Sequence, residues 1–351
     1  MADRAQLVLV HEPEAACRKR LLAGGIGARQ ALEISSYLAQ STDLAPEFGA
    51  IADACAARGV GFLPVELDDA PALLPSLHGA EAVVWTLTDG IAYFRGSAAP
   101  ALARLTDLAV FGSDDSLFGL CQDKFRSGAV CRALGLPIPE AGLARDGAWI
   151  VTPPPSPTGW FVKPNRLGAK VGIWPDSRVS DEFAVLELSR RIFENYRDDA
   201  IVQPYVAGRN VRASFLAVTP DAGASDIGVA FVDAGGDFQT MADSMALYGD
   251  TGAAARGDGS YREPVLVPVA DSQPAADKAI REILARMMQG LGLRDVFSAD
   301  FRVEANDIVH LIEFEVCPGL PCFDFRAYCA ARWTLGLPEA MAAAAAARLR
   351  P

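Results

Sequence analysis

The chain has 351 residues, 51% of them hydrophobic and 22% charged, with a net charge of −12. That length exceeds one hydrophobic core and predicts two or three subdomains of ordinary globular composition. The acidic balance excludes an extended nucleic-acid surface or a face for anionic membranes, and no run reaches the ~18 apolar residues that a membrane helix needs. From the N-terminus, Met-Ala-Asp-Arg-Ala-Gln offers neither a basic n-region nor a cleavage site, which points to the cytoplasm. Residues 7–10 read as a strand, followed by a helical stretch rich in Ala, Leu and Arg and a helix over 48–58 that Gly59 stops. Strands at 60–65, 82–85 and 108–111, with a helix at 98–105, predict a parallel sheet with helices on its faces. Residues 117–134 carry apolar positions at helical spacing behind N-cap candidates at 113–116, and Gly135, Pro137 and Pro139 end that helix.

Residues 153–157 form a proline-rich tether. A strand at 160–164 leads into the loop 165–172, a helix covers 180–196, and strands follow at 200–206, 211–218 and 227–232. Residues 234–263, rich in Gly, Asp, Ser and Ala, make a loop long enough to serve as a lid, with Tyr248 and Arg256 as candidate substrate contacts. An amphipathic helix spans 275–291, and helices at 327–335 and in the Ala-rich 338–350 close the chain. The seven cysteines contain no CxxC pair. In a reducing compartment Cys17, Cys55, Cys121 and Cys131 read as small core residues. Cys317 and Cys322 instead flank the tract with the most chemistry, and three histidines without a Cys/His cluster argue against zinc.

That tract comprises two β-hydrophobic runs, 297–303 and 309–316, joined by polar residues 304–307 as a hairpin. Alternation along a strand puts Glu313 and Glu315 on one face, with Asp300 able to lie opposite them. A solvated strand edge is the alternative. Buried together, three carboxylates cost several kcal/mol each unless a cation compensates, and hard oxygen ligands suit Mg2+. Lys163 ends a strand before the loop 165–172, where Gly168 and Gly172 let backbone amides cradle a phosphate, and Lys124 lies on the linking helix. Lysines on phosphates with Mg2+ bridging from the acids would make a nucleotide site; the loop lacks the GxxxxGK[ST] pattern, which disfavours a P-loop NTPase.

Taken in order, Gly112-Ser113, Asp123-Lys124, residues 135–139 (Gly-Leu-Pro-Ile-Pro), Phe161-Val162-Lys163-Pro164, residues 168–173, 202–209, Asp300 and 313–320 resemble the ATP-grasp superfamily, within it the D-alanine–D-alanine ligase-like branch. The resemblance runs from about residue 112 to 320; the first hundred residues match only in pattern. It implies an α/β fold, α+β in parts, with an N-terminal parallel-sheet domain (1–112), a central ATP-grasp subdomain (113–200) and a C-terminal one with the metal site (201–351), the latter two gripping ATP. It further implies that Lys124 and Lys163 contact phosphates and that 168–172, including Ala169 and Lys170, cover them. Gln203, Tyr205 and Val206 would hold adenine, and Asp300, Glu313 and Glu315 would bind Mg2+. The implied reaction couples a small-molecule carboxylic acid to an amine through an acyl phosphate, releasing ADP. Phosphorylation supplies the leaving group that a carboxylate lacks, and water must be kept from the intermediate. A homodimer is compatible with this reading, and no nucleic-acid or membrane partner is expected.

Several positions depart from the branch. Ala169-Lys170 stand where it usually has Ser-Ser. Ser298 stands where its arginine stabilises the tetrahedral oxyanion, and Arg302, on the same strand face as Asp300, is expected to take that charge role. Glu315 replaces the usual Asn ligand, Asn210 the acidic ribose contact, and Asp324 a serine near the acceptor's carboxylate. Asp324 would repel an incoming carboxylate, unless it turns to solvent or pairs with Arg326, so D-Ala-D-Ala is not the expected product. A non-catalytic nucleotide-binding protein and a ligase using a thiol or hydroxyl nucleophile are the competing readings.

Overall fold

Three sheets carry the molecule. The computed structural model describes residues 5–88, 95–168, 170–233, 235–240, 242–243 and 265–349. Strands β1 (Gln6–His11), β2 (Gly61–Glu66), β3 (Ala82–Thr86) and β4 (Ala109–Phe111) form a parallel sheet in the order β2-β1-β3-β4. Leu7 to Val10 are all buried, as a strand covered on both faces requires. One face of this sheet packs on a distant part of the chain. Leu7, Leu9, Val83, Trp85 and Phe111 share a core with Phe325, Tyr328, Met341 and Ala344 of the helices Phe323–Trp333 and Leu337–Leu349.

The second sheet contains β5 (Gly142–Arg145), β6 (Ala148–Val151), β7 (Trp160–Pro164), β8 (Arg178–Val179) and β9 (Ala200–Pro204), ordered β6-β5-β9-β7-β8 and backed by the helix Glu182–Tyr196. The third contains β10 (Arg209–Leu216), β11 (Gly228–Asp233), β12 (Val265–Pro268), β13 (Val296–Val303) and β14 (Val309–Glu315), ordered β12-β11-β10-β13-β14. Its apolar face, with Phe215, Phe297, Phe301 and Leu311, meets Ile280, Leu284 and Met287 of the helix Pro274–Leu291. No helix among the described residues is long and apolar enough to cross a membrane.

Two details differ from the sequence expectation. The helix expected over 117–134 is two helices, Asp115–Cys121 and Lys124–Ala133. Asp123 interrupts them: its backbone is extended and its carboxylate caps the second helix by accepting from the Arg126 amide at 3.0 Å. The β5–β6 hairpin was not expected, yet its two-residue turn is Asp146-Gly147 with φ of 48° and 76°, the geometry that Asp-Gly favours. β9, which begins at the expected division at residue 200, pairs with β5 and β7 and so belongs to the second sheet.

Candidate active site

The acidic hairpin forms as its alternation dictates. β13 and β14 pair antiparallel, with Asp300 opposite Glu313 and Ser298 opposite Glu315. The register then jumps, since Phe301 faces Leu311, and Ile312 is left as an extra residue. From the second sheet, Lys163 at the end of β7 reaches across and donates to Glu313 Oε2 at 3.0 Å. Lys124, in the first turn of its helix, lies 3.8 Å from the same oxygen and donates to the Leu167 carbonyl at 2.6 Å. The cleft between the second and third sheets thus holds both expected lysines and the acids. Burial alone would raise Glu313, but Lys163 and Lys124 outweigh it and hold the carboxyl well below its ordinary range. Burial drives Asp300 the other way, against the pull of Arg212, and the charges of Glu315 and Glu313 add to the rise.

Arg212 is the residue that sequence reasoning missed. It lies on β10 directly opposite Asp300. Its Nε is 3.0 Å from Asp300 Oδ1 and 3.7 Å from Asp324 Oδ2, while Nη1 donates to Ser298 Oγ at 2.8 Å and to Glu315 Oε2 at 3.2 Å. Ser298 Oγ donates in turn to Glu315 Oε2 at 3.1 Å. Lys170 stands near this group: burial, with the Arg212 charge, pushes its ammonium down to about 8. Burial also holds the Cys322 thiol, beside Asp324 and Arg212, up at about 12. The available signal was the alternation of Asn210, Arg212 and Ser214 with apolar Val211, Ala213 and Phe215.

Behind the lysines lies a second charged cluster. Asn165 is fully buried; its Nδ2 donates to Asp123 at 3.0 Å and its Oδ1 accepts from the Phe125 amide at 2.8 Å. Arg166 lies within 3.4 Å of carboxylate oxygens on Asp123, Asp198 and Asp199, and Arg145 makes a two-pronged contact with Asp199. These bonds fix the start of the Lys124 helix to the loop after β7. Further along that loop Gly172 has φ of 72°, and a Cβ there would come within 2.5 Å of Pro164, so the position demands glycine. Gly168 lies before the bend, its carbonyl accepting from the Val171 amide at 3.1 Å.

The stretch after β9 is held from both sides. Gln203 is buried. The Tyr205 amide donates to the Gly159 carbonyl at 2.9 Å, and its own carbonyl accepts from Thr158 at 2.7 Å. Arg302 is bound here rather than to the acids, which corrects its expected role. Its guanidinium donates to the Val206 carbonyl (3.0 Å), Asn210 Oδ1 (2.7 Å), Tyr205 Oη (3.0 Å) and Asp237 Oδ1 (2.8 Å). Tyr205 also donates to Asp237, and Arg178 stacks 3.8 Å over its ring. Asp324 is buried beside Arg212 and does not pair with Arg326, which binds Glu47 instead. Ala169, Tyr248 and Arg256 lie outside the described residues.

The fit of a divalent ion can be judged from the acids themselves. The donors are all carboxylate oxygens, which suits a hard cation. No group of three or more His, Cys, Asp or Glu side chains among the described residues is gathered as a metal site. The acids are drawn onto side-chain cations instead, Glu313 onto Lys163, and Asp300 and Glu315 onto Arg212. The oxygen chemistry of the set suits Mg2+, and holding it would require these acids to change partners.

No protein-family model and no curated protein matches the chain. Solved structures do. A D-alanine–D-alanine ligase from Bacillus anthracis aligns over 99% of this chain and 98% of its own, with a TM-score of 0.63 and 12% identity. The VanG D-Ala:D-Ser ligase of Enterococcus faecalis aligns over 98% and 99%, at 0.62 and 14%. D-alanyl-alanine synthetase A from Vibrio cholerae O1 biovar eltor aligns over 99% of both chains, again at 0.62 and 14%. The Bacillus anthracis enzyme complexed with ATP aligns at 0.59 and 11% identity, over 99% and 98%. The fold is therefore that of the D-alanine–D-alanine ligases.

Proposed function

We propose that this protein is an ATP-dependent, ADP-forming ligase that joins a carboxylic acid to an amine through an acyl phosphate, and that D-Ala-D-Ala is not its product. The observation carrying the proposal is the meeting of Lys163 and Lys124, from one sheet's edge, with Glu313 from another. Within one cleft this gives cations for phosphate and acids for a metal. Mg2+, when bound, supplies charge stabilisation to the transferred phosphoryl. Asp300, Glu313 and Glu315 would hold it. Lys124 and Lys163, released from Glu313, bind phosphate oxygens. The loop 168–172 covers them, and the stretch 203–206 receives the base.

On the acid side, Arg212 takes the charge role expected of Arg302, because it lies beside the acids and Arg302 does not. Ser298 orients it through their hydrogen bond. The electrostatic argument about the acceptor changes accordingly. Asp324 shares Arg212 with two other acids, so its repulsion of a carboxylate is smaller than for an unpaired acid. Asp324 still keeps a carboxylate beside Arg212 and Cys322, and that anion is what supports an acceptor other than D-alanine.

The test is ADP release with pairs of carboxylic acids and amines, D-alanine included. Release that requires both partners is expected. Efficient D-Ala-D-Ala synthesis overturns the substrate part. ATP binding without release for any acid, with amines, thiols or alcohols as acceptors, overturns catalysis and leaves a nucleotide-binding protein.

A further inference from the structure

Arg212 occupies the position where a metal's positive charge would be needed. One guanidinium serves three carboxylates, Asp300 at 3.0 Å, Glu315 at 3.2 Å and Asp324 at 3.7 Å. It comes from a neighbouring strand, opposite Asp300 in register, so its reach is set by the sheet and not by a mobile loop. The planar fork makes separate bonds with Nε and Nη1, which a point charge cannot reproduce. Two of its three acids belong to the set assigned above to Mg2+, and that set is not gathered as a metal site.

We propose that Arg212 is a built-in competitor for the metal: its bonds to Asp300 Oδ1 and Glu315 Oε2 have to be given up before a divalent cation can take those oxygens. The inference rests on the metal assignment in the preceding subsection. It has a physical basis in the repulsion of like charges in a partly buried site. Asp300, Glu315 and Asp324 repel one another, and a cation between them offsets that repulsion. With Arg212 present they are kept in place, and the metal has to displace a bonded guanidinium to enter. Metal binding alone is thereby weakened. Nucleotide phosphates favour the exchange in two ways: they add ligands for the metal, and they give the displaced guanidinium a new anion. Loading is thereby tied to the arrival of the metal–nucleotide pair.

Mn2+ serves as the probe, with binding followed by loss of its free electron-paramagnetic signal, with and without ADP. Without nucleotide, Arg212→Gln is expected to bind Mn2+ about tenfold more tightly than the parent. Arg212→Lys, which keeps the charge but loses the fork, should show a smaller gain. A role confined to structure would move affinity the opposite way, because damage to the site weakens binding. Unchanged or weaker binding in folded variants, judged by circular dichroism, overturns the inference, and the lysine variant alone decides it if glutamine does not fold. A parent protein that binds no Mn2+ even with ADP breaks the metal assignment itself. Variants that match a Mn2+-binding parent break only the role of Arg212.

Discussion

Two charge clusters, one buried and one partly buried, are built on residues that are close in the chain. Asp123 and Asn165 belong to the rear cluster; their neighbours Lys124 and Lys163 belong to the cleft. In the rear cluster the carboxylates accept from backbone amides and guanidinium forks: Asp123 from the Arg126 amide, Asp198 from the Arg166 amide, and Asp199 from both prongs of Arg145. In the cleft the bonds span two sheets or three strands and mostly join one side chain to another. Main-chain partners cannot exchange without unfolding, whereas side-chain cations can be replaced by a ligand's charge. The same residue types thus make a main-chain-anchored frame in one place and a set of side-chain ion pairs in the other.

The comparison breaks first if the cleft charges are structural. Glu313→Gln keeps the volume and removes one charge, so ADP release should fall about a thousandfold or more, roughly 4 kcal/mol of barrier, while the melting curve survives. Wild-type turnover would remove Glu313 from the site. Lys163→Ala should weaken ATP about ten- to a hundredfold through loss of a charge-assisted contact of about 1.5–3 kcal/mol. An ATP titration that matches the parent would reduce Lys163 to a structural ion pair.

The rear cluster should respond in stability. Asn165→Ala strips a buried carboxylate and a buried amide of their partner, at about 2–4 kcal/mol in denaturant unfolding. A loss under about 1 kcal/mol would mean that the frame does not depend on it. The smallest effect is a pH slope. Burial raises Asp198 to about 6, against the Arg166 amide and guanidinium. The folded protein keeps this proton to about pH 6, while an unfolded Asp releases it near about pH 4. The group's contribution to stability is therefore fully present below about pH 4 and lost as pH rises to 6. Asp198→Asn should flatten the melting temperature over that window, by about 1–2 kcal/mol in stability; an unchanged slope would assign the titration elsewhere.

What could be read from sequence followed from local periodicity. The acids of β13 and β14 were legible because a two-residue period fixes their face before any partner is known, and the parallel sheet because its strands are apolar throughout. Arg212 was not legible. On a lone strand, a charge alternating with Val211 and Ala213 looks the same whether it faces solvent or Asp300, and only the β10–β13 register decides. Arg302 shows the reverse error: its face was right, but its guanidinium is bound by Tyr205, Val206, Asn210 and Asp237. Asp237 comes from a loop with no period to read. The split at Asp123 escaped notice because helix spacing continues through it, and its reason, Asn165, is distant in sequence.

The shared core of the parallel sheet and the helix Leu337–Leu349 has a consequence for how the chain is made. During synthesis β1 to β4 leave the ribosome well before that helix, so Leu7, Leu9, Val83 and Trp85 wait with one face covered only in part, by Ile51 and Cys55. The second and third sheets emerge in the interval. The parallel sheet, begun first, is completed only after the acidic hairpin exists. Charged substitutions at Met341 or Ala344 should therefore damage the first-made unit while leaving the cleft's own residues untouched.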